Sequence, residues 1–225
     1  MGVTAEQADN VLWAARVGDA EAMQEILKEI FTDEKEAFRA ALVLENEAKN
    51  TPLHFAAANG HKEVLDLLLP NADISVLLHR NTSGNTPMHW AAFNGHSALV
   101  EALVDRIDAA EQEDTALAAT RRNEEFVREM ERYDTDAKKA VLEGESKNDV
   151  AAERERHVEM QRERAIWDVR NDAGRGPMSE AQMADREEVV QLLLSRLARV
   201  DKESATDASS AAESMEEKTE QLSIH

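Results

Sequence analysis

Four histidines fall in two matched pairs, His54 with His61 and His89 with His96. Imidazole is a common metal ligand and acid–base group near neutral pH, so such pairs first suggest zinc or proton-transfer chemistry. Their spacing argues against zinc. Two ligands on one helix want i, i+4, whereas these lie at i, i+7 with a glycine turn, Gly60 or Gly95, inside each pair. The chain has no cysteine, which removes thiolate nucleophiles, disulfides and cysteine metal sites. No nucleophile elbow, phosphate loop or dinucleotide fingerprint is present. Carboxylates are abundant without forming a site. The expectation is therefore a protein that is not an enzyme and uses no cofactor and no metal. His54 and His89 are expected to be structural, bonded to backbone and to the capping threonine of a neighbouring repeat.

The segments that position these histidines recur. "NTPLHFAAANGHKEVLDLLL" (50–69) aligns with "NTPMHWAAFNGHSALVEALV" (85–104), a period of 35 residues. "LWAARVGDAEAMQEIL" (12–27) and "GPMSEAQMADREEVVQLLL" (176–194) are weaker copies. Thr51 and Thr86 are placed as helix N-caps, with Pro52 and Pro87 at the first helical position. Gly60 and Gly95 suit a left-handed helix end. Trp13, Phe55 and Trp90 occupy one column, five positions before the turn glycine, and are expected to stack in the core. Phe93 lies two positions before Gly95, in the register of Arg16, Ala58 and Met183, and is a candidate anchor for a partner.

"TPLHFAAANGH" and "TPMHWAAFNGH" resemble ankyrin repeats. The resemblance implies an all-α solenoid of about four repeats. Residues 1–106 would hold repeats 1–3, 107–165 a charged helical insertion, 166–200 a degenerate last repeat and 201–225 an acidic, largely disordered tail. Thr4 to Gln7 reads as a capping box, Asp19 as a cap, and Thr32 as the cap of an extra short helix. "NTSGN" (81–85) and "NDAGR" (171–175) read as finger-tip turns with glycine at positive φ, while "EAKN" (47–50) carries Lys49 at that position. In the insertion, Phe126, Met130, Tyr133, Ala137 and Val141 form a thin helical stripe, "EGESKN" (143–148) should break it, and 151–165 is a charge-laced helix. A surface arm over the stack fits better than a coiled-coil partner site, which would need more heptads. Deleting 107–165 is expected to leave the first three repeats folded.

The net charge is −20, with 46 acidic against 26 basic residues. Such a surface repels phosphate backbones and anionic lipid and attracts a basic protein, so no direct nucleic-acid and no membrane partner is expected. The N-terminus lacks a basic and an apolar region, and no apolar run is long enough to span a bilayer.

The order of motifs, from "ARVGD" through "AAANGH" and "GNTPMHWA" to the acidic tail ending "EEKTEQLSI", is similar to the fungal ankyrin-repeat chaperone family dedicated to the KH-domain ribosomal protein of the small-subunit head. That resemblance implies a monomeric escort, cytoplasmic and nuclear, that solubilises a basic small-subunit ribosomal protein during ribosome biogenesis. A general ankyrin scaffold in signalling or transcription is the alternative. The candidate partner-facing residues are the finger positions Glu45, Glu47, Ser83, Asn85 and Asp172 with the groove positions Arg16, Ala58, Asn59, Phe93, Asn94 and Met183. Trp13, Thr51, His54, Phe55, Gly60, Thr86, His89, Trp90 and Gly95 are the structural set.

Overall fold

The computed structural model describes residues 3–142, 146–162 and 164–198. The 201–225 tail and part of the 143–148 breaker lie outside them. The described residues are helical, without strands: α1 (Ala5–Val17), α2 (Ala20–Ile30), α3 (Glu34–Leu42), α4 (Pro52–Asn59), α5 (Lys62–Leu68), α6 (Ile74–Leu77), α7 (Pro87–Asn94), α8 (Ser97–Glu113), α9 (Thr115–Leu142), α10 (Lys147–Arg162), α11 (Pro177–Met183) and α12 over 187–198.

The helix ends follow from local chemistry. Thr4 and Gln7 close a capping box, and Asp19 accepts the Ala22 N–H at 2.8 Å. The extra helix α3 is capped by Asp33, not Thr32, because the Asp33 carboxylate takes the Glu36 N–H at 2.7 Å. A carboxylate also suits the positive end of the helix better than a hydroxyl does. α3 then buries Ala37, Phe38, Ala41 and Leu42, which accounts for the longer first interval between turn glycines. α6 is a short helix that repeat spacing alone does not suggest; Asp73 caps it through the Ser75 and Val76 N–H groups.

α1, α4, α7 and α11 stack in series as an inner layer, backed by α2, α5, α8 and α12. Ala14 and Ala15, Ala56 and Ala57, and Ala91 and Ala92 are fully buried, so small side chains set the close spacing of the stack. Gly18, Gly60 and Gly95 end three inner helices at φ 84, 78 and 81. The glycines are needed for space as well as for φ. A Cβ on Gly18 would meet the His61 ring at 2.5 Å, and one on Gly60 the His96 ring at 2.8 Å.

The finger turns form a ladder of asparagines. Asn46, Asn81 and Asn171 each accept two backbone N–H groups within their own turn. Asn81 donates across to Asn50 at 2.9 Å and Asn171 to Asn85 at 2.7 Å. Lys49 keeps the turn of its finger by adopting φ 59, as Gly84 and Gly174 do at 73 and 77. Lys49 carries a Cβ there, so Lys49→Gly is expected to raise stability by about 1 kcal/mol in urea unfolding. Gly60→Ala should lower it by more than the ~1–2 kcal/mol of left-handed strain, because the His96 ring must also move.

α8 runs past residue 106, and Ile107 and Ala110 belong to the core. The expected boundary is therefore corrected: the third repeat's outer helix ends at Glu113. A deletion from 107 cuts the core, so it would not leave the first three repeats intact. α9 packs on α6 and α8, with Ala118 and Met130 buried and Phe126, Tyr133, Ala137 and Val141 partly covered. α10 packs back on α9, where Tyr133 stacks on His157 at 4.5 Å and Arg154 pairs with Asp134 at 2.7 Å. Arg80 ties this arm to the stack through Glu125 at 3.1 Å, the Arg170 carbonyl at 2.7 Å and Asp172 at 3.2 Å.

Candidate partner-binding site

The histidine pairs are joints between repeats. The capping threonine each ring bonds is its own repeat's, not a neighbour's: the Nδ1 of His54 receives the Thr51 N–H at 3.2 Å and lies 2.9 Å from the Thr51 hydroxyl. Its Nε2 donates to the Asn85 carbonyl of the next repeat at 3.0 Å. His89 repeats this with Thr86 and the Arg175 carbonyl. Each ring is 1% exposed. Burial, the dominant cause, pushes His54 down to about 3 and His89 to about 4, so both are neutral near pH 7. A neutral ring committed at both nitrogens has no lone pair left for a metal. Among the described residues, no cluster of three or more His, Cys, Asp or Glu could hold one.

His61 and His96 form a second series. Their Nε2 atoms bond to the Arg16 and Ala58 carbonyls of the preceding repeats, at 3.0 and 3.2 Å. Arg186 takes this place in the last repeat and donates to the Phe93 carbonyl at 3.1 Å. The sequence reading missed this role. The signal was the histidine right after Gly60 and Gly95, which bonds the carbonyl two positions before the preceding repeat's turn glycine.

The aromatic column corrects the expectation. Trp13 is 60% exposed, and Phe55 and Trp90 are only partly buried. Phe55 still packs against the core, whereas Trp13 and Trp90 lie on the side of the inner helices turned away from it, where Phe93 (41% exposed) and Met183 (65%) also sit. The curvature of a repeat stack makes this the groove face. α4 and α7 contribute no charged residue to it. The part of the floor that α4 and α7 supply is aromatic and amide, while α1 brings the exposed Glu6 and Asp9 in line with Trp13 and α11 brings Glu180.

The remaining candidates divide. Arg16 and Asn59 are exposed, and Ala58 is partly buried. Asn59 and Asn94 spend their amide N–H on backbone carbonyls, Asn59 on Phe55 and Asn94 on both Ala58 and Trp90. Asn85 is corrected from partner-facing to structural, because its carbonyl holds His54 and its Oδ1 holds Asn171. Glu47 and Ser83 are exposed on the rim. Glu45 sits 3.3 Å from His79, and Asp172 is paired with Arg80, so Asp172 is not a free charge.

Residues 11–116 match the family model described as ankyrin repeats in three copies. The segment consists of ankyrin repeats. The ankyrin stack continues through α11 and α12, which the match does not reach. No curated protein matches the chain. Among solved structures, the chain is similar to one in the crystal structure of the yeast ribosomal protein Rps3 in complex with its chaperone Yar1, at 20% identity and a TM-score of 0.55. The match covers 86% of this chain and 94% of that one. At that identity the likeness speaks for the ankyrin solenoid fold.

Proposed function

We propose that this chain is a non-catalytic, monomeric chaperone that binds a basic small-subunit ribosomal protein of the KH-domain type along its groove face. The observation that carries the reading is the exposed aromatic row. Trp13 and Phe93 face solvent at 60% and 41%. Large exposed aromatics on a rigid scaffold are the residue type that dominates protein interfaces. The charge of −20 supplies long-range attraction for a client rich in lysine and arginine. The fold likeness to a chain from a ribosomal protein–chaperone complex supports the same class of partner.

The division of labour follows from where the charges lie. The exposed rim residue Glu47 and the acidic outer surface speed encounter. The aromatic floor then holds the client once it has docked. Shielding the client's RNA-binding surface keeps it soluble in cytoplasm and nucleus until delivery. Affinity capture with the tagged full chain from lysate tests this, followed by reconstitution from purified components. One dominant basic ribosomal protein that binds directly supports the chaperone. A spread of signalling or transcription partners with no ribosomal protein overturns it in favour of a general scaffold.

A further inference from the structure

The groove face holds a pocket of about 200 Å³ between the third and fourth repeats, lined by Asn85, His89, Trp90, Phe93, Arg175 and Glu180. Trp90 and Phe93 meet edge to face, with centroids 6.5 Å apart at 86°. This arrangement leaves ring surface open to a third group. Glu180 is only 7% exposed. Its Oε1 accepts both the Asn171 amide at 2.7 Å and the Arg175 guanidinium at 2.9 Å. Neither bond uses Oε2. Arg175, the pocket's own cation, is thus held on Oε1, and His89 has both nitrogens committed.

We propose that this pocket receives one arginine side chain of a basic protein client. The inference rests on the reading of the groove as the client site and specifies the chemistry it recognises. A guanidinium over the open ring faces gains cation–π attraction. Its planar fork can donate to Glu180 Oε2 while it stacks, a geometry that an ammonium lacks. Glu180 is the one carboxylate among the residues lining this pocket, so recognition of positive charge there falls to the rings and to Glu180. An anionic side chain would meet Glu180 and the field of a chain carrying −20.

The test uses the full chain with Trp13→Phe. Of the two remaining tryptophans, Trp167 is 2% exposed, so ligand-induced fluorescence change reports Trp90. The probes are a short arginine-rich peptide, its citrulline twin and its lysine twin, at salt high enough to screen rim charge. The arginine peptide should change Trp90 emission and bind about tenfold or more tighter than the citrulline twin. Phe93→Leu should weaken it by about 3- to 30-fold, the range expected for a cation–π contact, and Glu180→Gln by about tenfold or more, as expected for a lost charge-assisted hydrogen bond. Phe93→Leu should keep the parent's unfolding midpoint, and Glu180→Gln retains the acceptor for Asn171. Equal binding of the citrulline or lysine twin, a silent Trp90, or undiminished binding in both variants overturns the assignment. If the ribosomal client still binds and Trp13→Ala weakens it, the groove reading survives and the arginine pocket alone fails.

Discussion

Lowering the pH from 7 to 5 should cost the fold about 3–4 kcal/mol, well before most carboxylates protonate. The source is His54 and His89, whose folded pKa values fall to about 3 and about 4 because burial penalises the charged ring. The sign follows from proton counting. Below about 6.5 the unfolded chain binds a proton at each site and the folded chain does not, so acid favours unfolding. The contribution is fully present above that pH. It is lost as pH falls, at about 1.4 kcal/mol per unit per histidine, until the folded ring itself titrates. Urea midpoints at pH 7, 6 and 5 measure it. His89→Gln should start out less stable at pH 7, since it disturbs a buried joint worth about 1–3 kcal/mol. It should also show about half the parent's slope between pH 7 and 5. A parent whose midpoint is flat over that range, or a variant with the parent's slope, would refute the assignment of His54 and His89 as neutral joints.

The same joints explain how much was legible. Threonine–proline starts, glycine ends and the Gly84 and Gly174 turns are local chemistry, and each fixes its own backbone. The period of 35 residues then gives equivalence between repeats. Equivalence carries no direction, and this is where the column of Trp13, Phe55 and Trp90 misleads. A column repeats as faithfully on the groove side as in the core. The helical stripe resolves it. Leu53, Ala56, Ala57 and Gly60 stand at i, i+3, i+4 and i+7, and Leu53, Ala56 and Ala57 are buried. Phe55 is two residues from both Leu53 and Ala57, about 200° around the helix from each, and so starts from the opposite face, although it still packs against the core. Val11, Ala14, Ala15 and Gly18 exclude Trp13 in the same way. The His61, His96 and Arg186 series was less accessible, because it needs contacts between repeats that a single-repeat motif does not contain. The Asn85–Asn171 bond lies across the insertion, 86 residues apart in sequence, for the same reason.

Replacing Trp13 and Phe93 together by alanine should reduce client affinity by about 2–5 kcal/mol, the loss of two interface anchors, while the unfolding midpoint hardly moves. Both residues are exposed, at 60% and 41%, so their truncation opens no cavity in the stack. Trp90→Ala should act on both axes. It is partly buried and packs against Phe93, so its stability cost should fall below the ~3–5 kcal/mol of a fully buried aromatic, with affinity falling as well. Glu47→Lys isolates the electrostatic part. An exposed rim charge contributes mainly to encounter, so this variant should slow association and flatten the salt dependence, with little change in dissociation. Titration of the ribosomal client at two ionic strengths, with association and dissociation measured separately, distinguishes these effects. If the double aromatic variant binds like the parent at both salts, the groove is not the client site. The rim and the aromatic floor are separate in space, so their kinetic signatures should separate too: salt-sensitive association from the rim, and salt-insensitive residence from the rings.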